Sequence, residues 1–329
     1  MRRLILLVVV LAALTGGYGW WWLEHGLQLS RPSVDLTIEP GMTPRAVAQT
    51  VQDAGVPVNA TMLALWFRLS GQDRQIRAGS YEIESGLSAR LLLRKLVRGE
   101  ESLRAVTLVE GWTLAQVRAA LAKAELLRAD SAGLTPDQLM QAVGRPGVSA
   151  EGRFFPDTYT YAKGSSDIAL LQRALRAMDR QLAATWQQRL PDTPLRTPDE
   201  ALILASIVEK ETGSPDDRSR IAGVFCNRLR LGMPLQTDPT VIYGLGASYD
   251  GRLHRKDLET DTPWNTYTRV GLPPTAIAMP GRAALHAAVR PASTSALYFV
   301  ARGDGSSEFS DSLEAHNRAV NRYIRGNAS

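Results

Sequence analysis

The sequence predicts an α+β chain behind a single membrane-crossing helix. Three observations carry that expectation: an apolar run near the N-terminus, a pattern of strand, glycine turn, hydroxyl cap and helix that recurs three times, and a C-terminal half of well-bounded helices. The chain has 329 residues, of which 44% are apolar and 22% charged. That is enough to bury a core and to divide into two or three domains.

At the N-terminus, Arg2 and Arg3 precede roughly nineteen mostly apolar residues, 4–22, about the number needed to cross a bilayer. Trp20, Trp21 and Trp22 fall where an aromatic belt would sit, and arginines held inside would leave the rest of the chain facing outward. A cleaved signal peptide is the competing reading, because Ala12, Ala13 and Gly16 are small enough for a cleavage region. No cysteine stands there to accept a lipid. The formal charge of +5 suits an anionic neighbour, yet no run of arginines interleaved with aromatics reads as a nucleic-acid groove, so no nucleic-acid partner is expected. Cys226 is the single cysteine, which excludes an internal disulfide and a cysteine-based zinc site. His25, His254, His286 and His316 lack ligand spacing, so no metal or other cofactor is expected.

The recurring pattern reads "EPGMTPRAV", "ESGLSARLL" and "VEGWTLAQV". In each copy a glycine precedes a hydroxyl residue (Thr43, Ser88, Thr113), and apolar residues at helical spacing follow, which predicts an N-capped helix. Alternating stretches at 34–38, 78–83 and 104–109 predict the strands in front. Farther on, "EGRFFPDTYTY", residues 151–161, gathers four aromatics around Pro156 and Asp157. It reads either as a packed aromatic turn or as a platform for sugar rings.

The stretch with chemistry in it is "ILASIVEKETG", residues 203–213. Thr197-Pro198-Asp199-Glu200 starts its helix with a capping box and a proline at the first helical position; Thr212 and Gly213 end it. The next helix begins after Ser214-Pro215-Asp216-Asp217 and stops at Gly232. Glu209 and Glu211 lie in the last turn of the first helix. Two residues along a helix rotate by about 200°, so these carboxylates point to opposite sides and cannot share one substrate atom. Behind Glu211 lie Val208, Ile207 and Leu204, a bulkier stripe than the Ser206, Ala205 and Leu202 behind Glu209. A carboxyl that continues an apolar stripe at a helix C-terminus is expected to have a raised pKa, as a general acid needs.

The segments "ASIVEKET", "VFCNRLRLGMPLQTDPTVIYGLG", "YDGRLHRKDLETDTPWNTYTRVGLPP" and "LYFVARGDGSSEFSDSLEAHNRAVNRY" closely resemble the MltG (YceG-like) family of endolytic murein transglycosylases. The resemblance covers essentially the whole chain. It implies a membrane anchor at 1–24, a linker at 25–33, a LysM-like module at 34–125, a connecting helical region at 126–195 and a mixed α/β lytic transglycosylase domain at 196–329. It also implies cleavage of β-1,4 bonds between N-acetylmuramic acid and N-acetylglucosamine in nascent glycan, leaving 1,6-anhydro ends and limiting strand length. The setting would be the inner membrane, with the catalytic part periplasmic, peptidoglycan strands as substrate and peptidoglycan synthases as possible neighbours.

In lytic transglycosylases of lysozyme-like type the catalytic glutamate typically precedes Ser or Thr; Glu211-Thr212 matches this and Glu209-Lys210 does not. Glu211 is therefore the expected acid and base, with Glu209 behind it, paired to an arginine. Asn227, Gln236, Thr237, Asp238, Tyr243, Asn265, Thr266 and Tyr267 are the expected sugar-binding residues, each with a structural role as the alternative. The rival enzyme is a water-using hydrolase with Asp238 or Asp261 as base, and the rival of another class is a non-catalytic peptidoglycan-binding scaffold. Trp264, Thr275, Met279 and Ser307 depart from the family pattern, where tyrosine, glycine, asparagine and histidine are usual.

Overall fold

The computed structural model describes residues 1–211 and 214–325, so Thr212 and Gly213 of the expected helix end lie outside the described residues. The chain divides into two compact units, one of Met1–Arg104 with Thr160–Ser165 and one of Ala105–Tyr159 with Ser166–Ser329.

The first unit starts with helix α1 (Arg2–Glu24). Within it, Ile5–Glu24 is long and apolar enough to cross a membrane, at a mean hydropathy of 1.7, a test that a signal sequence would also pass. Strand β1 (Ser33–Ile38) leads into α2 (Pro44–Asp53) and α3 (Ala60–Leu69), and β2 (Gly79–Glu84) leads into α4 (Ala89–Arg98). The two strands pair antiparallel with Leu36 opposite Tyr81, which turns Leu36, Ile38, Tyr81 and Ile83 inward. They pack with Val47, Val51, Leu63, Phe67, Leu92 and Leu96 from the three helices. The expected caps are present: the Thr43 and Ser88 hydroxyls accept from the Ala46 and Leu91 N–H groups.

Strand β3 (Leu103–Thr107) precedes α5 (Leu114–Lys123), whose Thr113 and Gln116 form a reciprocal capping box. This third copy of the pattern contributes its helix to the second unit, so the division falls near residue 104, ahead of the boundary expected at 125. Helix α6 (Pro136–Ala142) and strand β4 (Thr158–Ala162), the partner of β3, come next, followed by α7 (Asp167–Gln187). Phe154, Phe155, Tyr159 and Tyr161 are all buried, so the 151–161 loop is a packed turn and offers no sugar platform.

Helix α8 (Pro198–Glu211) is the centre of the second unit, and α7, α9 (Arg218–Leu231) and α12 (Arg282–Val289) pack on it. Its N-terminus follows the expected motif, although Glu200 accepts the N–H of Arg196 where a strict capping box would use that of Thr197. Short helices α10 (Asp238–Leu245) and α11 (Arg255–Glu259) lie between α9 and α12 in the chain. The antiparallel pair β5 (Tyr298–Ala301) and β6 (Ser307–Ser310) precedes α13 (Leu313–Val320). Cys226 is buried among these helices, as expected of an apolar position, and burial pushes its thiol up to about 12.

Gly223 in α9 marks a close approach in this core. A Cβ built there would meet the Ala292 carbonyl oxygen at 2.8 Å and Thr294 Cγ2 at 2.8 Å. Gly223→Ala gains roughly 1 kcal/mol of helix propensity but is expected to lose about 1–3 kcal/mol to overpacking. The melting temperature of the variant should therefore fall, and a rise would show that the 292–294 segment yields freely.

Candidate active site

Enclosure of α8 sets the environment of both glutamates. Ala201, Leu202, Leu204, Ala205, Ser206, Ile207 and Val208 are all buried, so between its first and last turns only Ile203 is partly exposed. Glu209 and Glu211 then emerge half-buried toward different neighbours. Glu209 Oε2 accepts the Gly281 N–H at 2.8 Å. Its bond is to backbone and not to the arginine expected; Arg218 supplies only nearby positive charge. Burial raises its pKa, and the Glu110 carboxylate adds to the rise against the Gly281 bond.

Glu211 accepts from the Thr237 hydroxyl at Oε1. Burial raises its pKa, the Thr237 bond opposes the rise, and the Asp238 carboxylate reinforces it. Both glutamates are thus shifted the same way, so the apolar-stripe argument does not separate them; their neighbours do. Glu211 borders a cleft of about 430 Å³ together with Arg228, Gln236, Asp238, Tyr267, Tyr298 and His316.

The segment 234–238 forms one wall of this cleft, and Arg228 fixes its shape. The buried guanidinium donates to the Leu297 carbonyl at 2.7 Å, to those of Pro234 and Leu235 at 3.1 and 2.9 Å, and to Gln236 Oε1 at 3.2 Å. Gln236 sits at φ 52°, in the left-handed region. Thr237, 2% exposed, is the N-cap of α10 by position yet makes no capping bond, its hydroxyl being turned to Glu211. Asp238 accepts from the Tyr267 hydroxyl at 2.6 Å.

A family model described as YceG-like matches residues 36–322. The chain belongs to the YceG-like family. It is 31% identical over 312 residues to the endolytic murein transglycosylase of Bacillus subtilis, covering 90% of this chain and 86% of that protein. It is 27% identical to the endolytic murein transglycosylase of Streptococcus pneumoniae, where it spans 59% of the longer relative. A crystal structure of a YceG-like protein from Listeria monocytogenes matches 88% of this chain and 99% of its own, at 28% identity and a TM-score of 0.54.

In this YceG-like chain the eight expected sugar-binding residues fall into separate groups. Gln236, Asp238 and Tyr267 border the Glu211 cleft, and Thr237 stands directly beneath it. Thr266 is buried and serves as scaffold: its Oγ1 accepts the Thr237 N–H at 3.1 Å, and its carbonyl accepts the Gln236 N–H. Asn265 has its amide spent on the carbonyls of Asp257, Leu258 and Thr260. Asn227 donates to those of Thr294 and Ala296 and accepts from Arg230. Tyr243 borders a different cleft, where its hydroxyl donates to Glu151 Oε2 at 3.1 Å. The rival base Asp261 is exposed, bound by Arg269 and Thr268, held down at about 2, and does not line the Glu211 cleft. Trp264 and Thr275, both expected to depart from the family pattern, are in contact: the Trp264 indole N–H donates to Thr275 Oγ1 at 3.0 Å.

Sequence reasoning missed Arg228, His316 and Glu151. Glu151, 7% exposed, accepts the Leu114 N–H at 2.9 Å as well as the Tyr243 hydroxyl. Burial raises its carboxyl to about 7 against these bonds. The folded state therefore holds this proton more tightly than the unfolded chain. Its contribution to stability is complete below the ordinary value of 4.5 and is lost as pH rises through about 7, a change of up to about 3 kcal/mol. Glu151→Gln should flatten the fall in melting temperature expected of the native chain between pH 5 and 8. An equally steep fall in the variant would assign the proton elsewhere.

Proposed function

We propose that this chain is a lytic transglycosylase that cuts within peptidoglycan glycan strands, with Glu211 as its single acid and base and α1 as its membrane tether. The observation that carries the reading is the setting of Glu211: a carboxyl with a raised pKa at the edge of a cleft, steadied by a hydroxyl taken from a helix cap. The names of the relatives supply the substrate class.

The reaction needs one proton carried out and back. Neutral Glu211 gives its proton to the glycosidic oxygen as the bond from the N-acetylmuramic acid C1 breaks, and positive charge develops at C1. The sugar's own C6 hydroxyl then bonds to C1 and returns its proton to the Glu211 carboxylate. The products are a strand with a new free 4-hydroxyl and a strand with a 1,6-anhydro end, and no water is consumed. Tethering of the nucleophile to the electrophile provides the proximity that a second carboxylate would otherwise have to arrange. Asp238, beside Glu211 and bound by Tyr267, places negative charge near the developing cation.

Product analysis of digested peptidoglycan by mass spectrometry tests this reading against the water-using hydrolase and the non-catalytic scaffold. Wild-type protein should yield anhydro ends, and Glu211→Gln should lower their rate of formation by about 10²–10⁴-fold while glycan binding persists. Reducing ends would favour hydrolysis, and full activity of the variant would remove Glu211 from the mechanism. Thr237→Val should depress turnover and shift the alkaline limb of the pH–rate profile, where neutral Glu211 is lost, to higher pH, since the hydroxyl that holds the Glu211 pKa down is gone. An unmoved profile would make Thr237 a purely structural residue.

A further inference from the structure

The second unit contains a larger cleft that the proton cycle at Glu211 does not use. It encloses about 1000 Å³ against about 430 Å³ for the Glu211 cleft. The two meet at the same pair of elements. Lys210 borders the larger cleft and Glu211 the smaller; Pro239 borders the larger and Asp238 the smaller. The end of α8 and the start of α10 are therefore the shared wall between them.

The walls of the larger cleft are mostly apolar, with a polar floor. Tyr243 and Trp264 stand edge to face at 5.6 Å and 63°, and each has its polar atom tied back, to Glu151 and Thr275 respectively. Their ring faces are thus fixed in direction. Gly244 permits the arrangement, since a Cβ there would come within 3.0 Å of Thr262 Oγ1 and 3.3 Å of Trp264 Cβ. Glu151, buried, also borders the cleft, where its carboxyl holds the Leu114 and Gly152 N–H groups and the Tyr243 hydroxyl. Fixed aromatic faces beside a buried carboxyl match an N-acetyl sugar, which offers C–H faces to stack and hydroxyl and amide protons to donate.

We infer that this cleft binds the same glycan strand on one side of the scissile bond, so that the strand runs over the wall formed by α8 and α10. The inference rests on the reading of Glu211 as the cutting acid. Cleavage inside a strand needs sugars held on both sides of the broken bond, and the cleft at Glu211 is near the lower end of the range for a single small-ligand pocket. Lys210 at the rim adds a cation suited to the lactyl or peptide carboxylates carried by muramic acid.

The test uses the full chain, with glycan strands stripped of peptide stems, long strands being compared with a tetrasaccharide. Ala115→Trp, at an exposed position on the rim, narrows the cleft, and Tyr249→Ala removes an aromatic wall. Each should lower the ratio of kcat/KM on long strands to kcat/KM on tetrasaccharide by about tenfold and move cuts toward strand ends. Melting curves that match wild type would show that the variants fold. An unchanged ratio with normal anhydro products overturns the cleft assignment alone. A drop confined to peptide-bearing strands also overturns it, because the occupant would then be the stem. Absence of anhydro ends from wild type would instead defeat the reaction at Glu211, and pelleting of Glu211→Gln protein with stripped strands would still measure binding by the cleft.

Discussion

The enclosure of α8 is the constraint on which the site depends. Leu202, Leu204, Ile207 and Val208 are buried together, each worth about 1.5–3 kcal/mol relative to exposure, and α7, α9 and α12 pack around them. That surplus stabilises a last turn whose carboxyls would not be tolerated in isolation, being partly desolvated and near the negative end of the helix dipole. The same packing therefore fixes the backbone at Glu211 and raises its pKa. A helix with an open face would have delivered the carboxyl to water and left it an ordinary anion.

Shape on the opposite wall comes from Arg228. A buried guanidinium is costly unless its donors are satisfied, and here they are satisfied by carbonyls of the 234–236 segment and of Leu297 together with the Gln236 side chain. The bonds tie the loop before α10 to the approach to β5. They also support Gln236 in a left-handed conformation that costs a non-glycine residue about 1–2 kcal/mol. The next residue, Thr237, forgoes a cap worth about 1 kcal/mol so that its hydroxyl can reach Glu211. Two small local losses at consecutive positions, both offset by the surrounding packing, mark where geometry serves the carboxyl over the helix.

What was legible in the sequence was what local chemistry decides. Thr43, Ser88 and Thr113 cap their helices because a hydroxyl after a glycine turn has its partner two or three residues away. Leu36, Ile38, Tyr81 and Ile83 turn inward because alternation is a two-residue property. The opposed directions of Glu209 and Glu211 follow from helical rotation alone, and the structure gives them separate partners. The choice between them was not legible from the stripe, because the residues behind both carboxyls are buried and both carboxyls are raised. Asn227, Asn265 and Thr266 looked available because their partners lie in carbonyls and side chains that only folding brings near. Glu151 was hidden for the same reason: its partners, Leu114 and Tyr243, lie 37 and 92 residues away in the chain.

The few polar side chains left facing Glu211 constrain the proposed chemistry. Asn227, Asn265 and Thr266 have their groups engaged, which leaves Gln236, Asp238 and Tyr267 as the members of the expected set that border the cleft. Burial and the Asp238 bond push the Tyr267 hydroxyl well above its ordinary value, so it stays a donor throughout. Asp238 accepts that hydroxyl's bond. One negative charge then acts twice. It raises the Glu211 pKa, and in the proposed reaction it favours positive charge on the sugar ring, when Glu211 is an anion awaiting the C6 hydroxyl proton. A water-using reaction would need Asp238 to be a base, and the Tyr267 bond at 2.6 Å works against that role.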